Sequence, residues 1–166
     1  MNSFTNFILS RPELTSLVIF LLFAIPVSIF DLKTGKIPDI LTLFGTLILL
    51  LYHFAVNRKE ALIYIMSALL AFLLLLAIRY STKKGLGWGD IKFGAVCGAY
   101  AGPIAVFGGF ILAAFFGGIY FFIQKRAKNW KKDKAFPFAP FLALGTLFST
   151  LPAIISAIMK IKETYC

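Results

Sequence analysis

Apolar residues occur in long runs along this chain, and charged or turn-forming residues interrupt them at short intervals. The runs cover residues 14–30, 37–56, 61–78, 91–100, 103–123 and 136–159. A helix needs about 20 apolar residues to cross the hydrocarbon core of a bilayer, and most of these runs approach that length. The pattern predicts an all-α, polytopic integral membrane protein with about six transmembrane helices. We expect residues 1–166 to form a single membrane-embedded domain, because the runs leave no room for a soluble one.

The fourth and fifth runs differ from the others because they are rich in glycine and alanine. Residues 91–100 are few for a span, and small residues such as Gly94 and Gly98 recur among them. Small residues make a poor surface towards lipid, but they let neighbouring helices approach closely. We therefore expect the fourth run to be buried inside the bundle and the fifth run, 103–123, to pack tightly against its neighbours.

Composition and charge agree with this class. The chain is 60% hydrophobic and 14% charged, whereas soluble domains are about 45 to 50% apolar. Its net charge of +10 is concentrated in the loops, where Lys and Arg set topology and attract anionic lipids. We therefore predict contacts with membrane lipids and no nucleic-acid partner. The basic run 125–134 is interpreted as an anchor on the membrane surface, with a share in substrate docking as the alternative.

The loop charges also predict an orientation, because the cytoplasmic side collects Lys and Arg. One side of a six-helix arrangement receives Lys33, Lys36, Arg79, Lys83, Lys84, Lys125, Arg126, Lys128, Lys131, Lys132 and Lys134. The other side receives Arg11, Arg58, Lys59, Lys160 and Lys162. The first side is predicted to be cytoplasmic, which places both termini outside the cytoplasmic membrane. The first run is expected to be retained, since residues 1–10 lack the basic region of a signal peptide.

Two acidic residues stand at the ends of apolar runs and are the candidates for chemistry. Asp31 follows the first run, and Asp90 precedes the fourth. The predicted topology puts both near the same cytoplasmic boundary. A charged residue at membrane depth costs at least about 2.5 to 3.5 kcal/mol, so it points to function. The alternative for Asp90 is that it merely caps the fourth helix, a common role for Asp.

A pair of carboxylates can act as an acid and a base. Two such groups held close together do not both ionise easily, so one can keep a proton while the other is charged. The charged member takes a proton from a water that attacks a peptide carbonyl, and the neutral member assists the carbonyl oxygen. Gly87 and Gly89, which flank the approach to Asp90, would allow unusual backbone conformations and close approach of a substrate strand.

Other catalytic chemistries find little support in the sequence. Cys97 and Cys166 are the only cysteines and lie far apart, so they form neither a disulfide framework nor a paired-cysteine zinc site. His53 is the only histidine, and we expect it to pack between helices near the external side. We predict no metal and no cofactor, and a nucleophilic triad is unsupported.

Three segments resemble the type IV prepilin peptidases, a family of membrane aspartyl proteases. Residues 87–93, Gly-Trp-Gly-Asp-Ile-Lys-Phe, are similar to the family signature Gly-x-Gly-Asp-(Val/Ile)-Lys. Residues 31–39 resemble its first aspartate motif, in which an acid is followed by a basic residue and then Ile-Pro-Asn. Residues 136–145 resemble the late segment Pro-Phe-Gly-Pro-x-(Leu/Ile)-(Ala/Ser)-x-Gly. The resemblance covers about 14–159, the expected catalytic core.

This resemblance implies a function and a set of site residues. Asp31 and Asp90 would be the catalytic aspartates of an aspartic-type endopeptidase. It would cleave the leader from pilin-like precursors that carry class III signal peptides, at the cytoplasmic membrane face. The motif positions expected to bind substrate or support the site are Gly87, Gly89, Lys92, Pro137, Pro140 and Gly145.

The chain departs from the family pattern at three points. It has no paired Cys-x-x-Cys motifs, which larger bifunctional members carry in a region linked to methylation. We therefore expect a short, core-only member that cleaves without N-methylation. Asp39 stands where Asn is usual and suits the start of a helix, although a third acid close to the pair would also influence it. Ala139 replaces the more common glycine, which would narrow the approach to the site.

Two other readings remain open at the level of sequence. Presenilin-like proteases share the Gly-x-Gly-Asp motif, but their first aspartate follows Tyr within a span, whereas Phe30 precedes Asp31 here. The second alternative is not a protease: the chain would be a catalytically silent scaffold, or a small transporter whose two aspartates bind a proton or cation.

Overall fold

The computed structural model describes residues 12–82, 85–126 and 136–165. These residues form five helices, and none of them is in a β-strand. The helices are α1 (Pro12–Thr34), α2 (Asp39–Val56), α3 (Arg58–Ser81), α4 (Trp88–Arg126) and α5 (Ala139–Tyr165). All five are long and apolar enough to cross a membrane. The predicted all-α, polytopic membrane protein is therefore confirmed, with five helices where about six were expected.

The difference in helix number arises at Gly102. The runs 91–100 and 103–123 were predicted as separate helices, whereas the structure joins them in α4 with a break at Gly102, where φ is 76° and ψ is 174°. This conformation favours glycine, and the next residue, Pro103, lacks the N–H that would continue the helix. Helix α4 therefore has two arms, residues 88–101 and 103–126.

The two arms of α4 fold back on each other. A Cβ atom placed on Gly94, in the first arm, would lie 3.5 Å from the ring of Phe110 in the second. Sixteen residues along a straight helix would separate these positions by about 24 Å. The chain must therefore reverse direction at Gly102, as a six-run arrangement requires.

The first arm of α4 occupies the centre of the bundle. Val96, Cys97 and Ala99 are fully buried. A Cβ atom on Gly98 would lie 2.6 Å from the carbonyl oxygen of Ser67, so only glycine allows α3 to come this close. The expectation that the short glycine-rich run lies inside the bundle is confirmed. The second arm packs against α5 in the same way, since a Cβ on Gly109 would lie 2.8 Å from Cα of Thr146.

Large apolar side chains cover the outer surface of the bundle. Ile104, Leu43, Ile111 and Phe122 are between 69% and 88% exposed. Such a continuous apolar exterior is unfavourable in water but suits lipid. The exterior and the helix lengths together indicate that the chain is a membrane protein.

Contacts between helix ends gather the three motif segments at one end of the bundle. The end of α1 meets the start of α5 through Asp31 and Ala139. The start of α2 meets the start of α4 through Asp39 and Lys92. At the opposite end of α2, His53 is buried and stacks on Tyr64 with 3.6 Å between ring centroids, which is the expected packing role. Residues 127–134 of the predicted surface anchor lie outside the described residues.

Helix packing at Gly98 yields a test with an internal control. Gly98→Ala is expected to lower the free energy of unfolding by about 1–3 kcal/mol, because the new methyl group collides with the backbone of α3. Gly118→Ala places the same group where nothing lies within 4 Å, so it is expected to leave that free energy unchanged or raise it by up to ~1 kcal/mol. Denaturant titration of both variants in detergent micelles measures the difference, and equal losses would contradict the packing described.

Candidate active site

Asp31 lies inside α1, about one turn before its end, rather than after the helix as the apolar run suggested. Helix α1 ends at Thr34, and Gly35 adopts a φ of 63° while its N–H donates to the carbonyl of Asp31 at 2.9 Å. This glycine terminates the helix. The side chain of Asp31 is buried, with 5% of its surface exposed.

The carboxylate of Asp31 caps the start of α5. Its Oδ2 accepts a hydrogen bond from the backbone N–H of Ala139 at 2.9 Å. The first N–H groups of a helix have no partner within the helix, and a negative charge is favourable there. Asp31 therefore connects the first described helix to the last across 108 positions of sequence.

Asp90 lies in the first turn of α4 and is 7% exposed. Its Oδ2 accepts a hydrogen bond from the N–H of Gly87 at 3.2 Å, so the side chain reaches back to the residue before the helix as in a capping box. The capping role considered for Asp90 is thus present. It uses only one oxygen, because Oδ1 is buried without a hydrogen-bond partner among the described residues.

The two carboxylates lie near enough to influence each other. The charge of Asp31 acts on Asp90, although the two residues come from different helices. Like charges repel when both groups ionise, which favours a pair that holds one proton between them. The candidate site therefore contains a carboxylate held by the N–H of Ala139 and a second carboxyl group with one oxygen that has no hydrogen-bond partner among the described residues.

Glycines bring the chain segments around Asp90 into close contact. A Cβ atom on Gly87 would lie 2.9 Å from Oδ2 of Asp90, and one on Gly89 would lie 2.7 Å from Cβ of Ile37. Among the described residues, the glycines with positive φ are Gly35 and Gly102. The unusual backbone conformation expected at Gly87 and Gly89 is therefore not present. Gly87 instead leaves room for the carboxylate of Asp90, and Gly89 lets Ile37 approach α4 closely.

Lys92 and Asp39 form an ion pair beside the site. The Nζ of Lys92 lies 2.7 Å from Oδ2 of Asp39, the first residue of α2. Asp39 was expected to suit the start of a helix, and it occupies that position. Its contact with Lys92 was not predicted.

The late motif positions the N–H group of Ala139, which donates to Asp31. Residues 136–138 precede α5, although the apolar run predicted a helix from residue 136. Pro137 disfavours a helical conformation at the residue before it. Pro140 lies in the first helical turn, where its missing N–H costs little. Ala139 is fully buried.

Gly145, the last residue of the late motif, has a different environment. A Cβ atom there would collide with the carbonyl oxygen of Gly109 in α4. Gly145 therefore supports the site through the packing of α5 on α4.

An aromatic cluster fixes the segment that precedes α5. The ring of Phe136 stacks on that of Phe141 at 5.8 Å and lies 6.0 Å from that of Tyr120 in α4. Phe138 adds a further ring contact with Phe136 at 6.2 Å. These contacts join the end of α4 to the start of α5 and so support the backbone that donates to Asp31.

Arg79 contacts the residues on either side of Gly87, a few positions before Asp90. It was not identified from the sequence as a site residue. Its guanidinium donates a hydrogen bond to the carbonyl of Leu86 and lies 4.8 Å from the ring centroid of Trp88. Both partners immediately flank Gly87. A basic residue in the last turn of a helix, followed by a short connection to an aromatic residue, is the sequence signal that points to this contact.

The cap of Asp31 on α5 makes a prediction about stability. Asp31→Ala and Asp31→Asn both remove the negative charge, but only asparagine keeps an oxygen that accepts from Ala139. Asp31→Ala is therefore expected to be less stable than Asp31→Asn by about 1–3 kcal/mol, the cost of a buried N–H group without a partner. Denaturant titration of the two variants checks this difference. Equal stabilities would mean that the hydrogen bond to α5 contributes nothing.

A family model and two curated relatives each match more than half of this chain. Residues 18–122 match the model of the Type IV leader peptidase family. The chain is 32% identical over 139 residues to the prepilin leader peptidase/N-methyltransferase of Pectobacterium carotovorum subsp. carotovorum, a match covering 81% of this chain and 50% of that protein.

The chain is also 28% identical over 150 residues to the protein of that name from Bacillus subtilis (strain 168), covering 89% of this chain and 60% of that protein. It thus spans about half the length of the curated relatives it matches. No solved structure matches the chain. The family model covers more than half of the sequence and includes both Asp31 and Asp90, so this protein belongs to the Type IV leader peptidase family.

Proposed function

We propose that this protein is a membrane aspartyl endopeptidase that cleaves the leader peptide from pilin-like precursors. The observation that carries the proposal is that Asp31 and Asp90, two buried carboxyl groups from separate helices, lie near enough for the charge of one to act on the other. Membership of the Type IV leader peptidase family supplies the reaction class. The names of the relatives, prepilin leader peptidase/N-methyltransferase, supply the substrate class.

The hydrogen bonds assign different roles to the two aspartates. Asp31 accepts from the N–H of Ala139, and such a bond favours the charged form of a carboxylate. We assign it as the base that takes a proton from the attacking water. The buried Oδ1 of Asp90, which lacks a partner among the described residues, carries the shared proton and donates it to the substrate carbonyl oxygen.

The proposed reaction passes through a tetrahedral gem-diol without a covalent intermediate. The water oxygen forms a bond to the carbonyl carbon while Asp31 receives its proton, and the carbonyl oxygen takes the proton of Asp90. Collapse of the gem-diol then breaks the C–N bond, and the proton held by Asp31 passes to the leaving amine. Asp90 recovers its proton from the gem-diol hydroxyl, which restores the starting state.

The cytoplasmic face of the membrane is proposed as the side of cleavage. Described residues at the same end of the bundle as the aspartates include Lys33, Lys36 and Arg79, whereas Arg58 and Lys59 lie at the start of α3, the opposite end. The sequence of residues 83–84 and 127–135 is also basic, with Lys83, Lys84, Lys128, Lys131, Lys132 and Lys134. This asymmetry follows the positive-inside rule and puts the site where a basic leader would remain after insertion of a precursor.

Cleavage of a co-expressed panel of pilin precursors tests the proposal. Wild type is expected to produce shortened products, while Asp31→Asn and Asp90→Asn are expected to reduce the rate by about 10²–10⁴-fold, the usual contribution of a general acid or base. Gel mobility and N-terminal sequencing locate the cut. Thermal unfolding in detergent serves as the control that both variants retain the fold.

The mass of the product tests the finer part of the proposal. The chain contains no Cys-x-x-Cys pair, so we expect an unmethylated new N-terminus from this chain alone. Cleavage that persists in either variant would remove that aspartate from the catalytic pair. Absence of cleavage by a folded wild type, together with ion-gradient-dependent uptake, would instead favour a transporter.

A further inference from the structure

The ion pair between Asp39 and Lys92 links the two chain segments that carry Asp31 and Asp90. Eight positions separate Asp31 from Asp39 along the chain, and two positions separate Lys92 from Asp90. The 2.7 Å contact between Asp39 and Lys92 joins the two segments. A change in this contact would therefore act on the segments that carry both carboxyl groups.

Hydrogen bonds within the segment from Asp31 to Asp39 limit its conformations. The hydroxyl of Thr34 lies 2.8 Å from the carbonyl oxygen of Phe30 and 3.1 Å from that of Lys36, so its one hydrogen serves one of them or is shared between them. The N–H of Lys36 donates to that hydroxyl at 3.2 Å. At the start of α2, the hydroxyl of Thr42 donates to the carbonyl of Asp39 at 3.0 Å. These bonds tie Lys36 to the end of α1 and Asp39 to the first turn of α2.

The turn that carries Asp90 touches the same segment directly. Ile37 lies so close to Gly89 that a Cβ there would be 2.7 Å from the Ile37 Cβ. This apolar contact limits how closely the two segments approach, but it does not fix their relative orientation. The ion pair restricts that orientation, because the Lys92 side chain must extend from α4 towards the start of α2 to reach Asp39.

Lys92 does not itself face the candidate catalytic groups. Residues two positions apart on a helix project about 200° from each other, so Lys92 points away from Asp90. It lines a separate cavity of about 460 Å³ together with Asp39, Thr42 and Phe72, and neither Asp31 nor Asp90 lines that cavity. A direct part in the chemistry is therefore not supported for Lys92 or for Asp39.

We propose that the Asp39–Lys92 ion pair positions Asp90 relative to Asp31, so that Asp39 is a positioning residue of the peptidase. This inference rests on the proposed function. The side chains of Lys92 and Asp39 are 38% and 70% exposed, and exposed ion pairs contribute little to stability. The effect of breaking the pair is therefore expected mainly in turnover, since small displacements of reacting groups cost rate steeply.

Steady-state cleavage by a set of Asp39 variants tests the proposal. Asp39→Lys places two ammonium groups together and is expected to lower kcat about tenfold while KM changes less than about twofold. Asp39→Glu retains the charge and is expected to keep most of the activity. The double variant Asp39→Lys/Lys92→Asp restores the pair with reversed polarity and is expected to return kcat to within about threefold of wild type.

Glu60 provides a matched control. It is an exposed acid in the first turn of α3, at the opposite end of the bundle, where it accepts a hydrogen bond from Asn57 at 2.9 Å. Glu60→Lys introduces the same charge reversal and is expected to leave kcat unchanged. Unchanged kcat in Asp39→Lys, or a double variant no more active than the single one, would overturn the positioning role.

Amide hydrogen exchange provides a readout that does not depend on cleavage. Exchange of the peptide that covers residues 86–93 is expected to rise in Asp39→Lys and to return towards wild type in the double variant. If wild type cleaves no precursor, the proposed function fails, but exchange still decides whether the ion pair fixes the turn. Identical exchange in wild type and Asp39→Lys would reject the positioning role in either case.

Discussion

The hydrogen bond from the N–H of Ala139 to the carboxylate of Asp31 is the contact on which the arrangement of this protein depends. It attaches the start of α5 to the end of α1, and α5 in turn packs against the second arm of α4. A buried carboxylate is tolerated there because the first N–H groups of a helix need an acceptor and favour negative charge. The same bond therefore stabilises the bundle and orients a candidate catalytic group.

The environment of Asp90 is less favourable for a buried carboxyl group than that of Asp31. Its Oδ1 is buried without a partner among the described residues, and its Oδ2 accepts one long hydrogen bond from Gly87. Burying a polar oxygen in this way is unfavourable unless something else uses it. The surrounding contacts are correspondingly tight, with Arg79 held against Leu86 and Trp88 on one side and Ile37 against Gly89 on the other. The buried Oδ1 thus lowers the stability of the folded protein, while close packing of the neighbouring residues keeps Asp90 in position.

Sequence reasoning succeeded where the signal is local. Lengths of apolar runs predicted the helices, and small residues predicted the buried first arm of α4. The break between the runs 91–100 and 103–123 was predicted correctly. Helical structure continues on either side of Gly102, so the two predicted helices form one element, α4. Contacts between distant residues were not predictable in this way. A backbone N–H group such as that of Ala139 has no sequence signature, and nothing in the pattern pairs Asp39 with Lys92 rather than with another base.

A double-mutant cycle on the free energy of unfolding tests whether Asp31 and Asp90 interact. Asp31→Asn, Asp90→Asn and the double variant are compared with wild type by denaturant titration at neutral pH. Either single substitution already removes the cost of holding two acidic groups close together, so the second should bring no further relief. We expect an interaction energy above about 0.5 kcal/mol, whereas effects that add to within about 0.3 kcal/mol would mean that the two carboxyl groups do not interact.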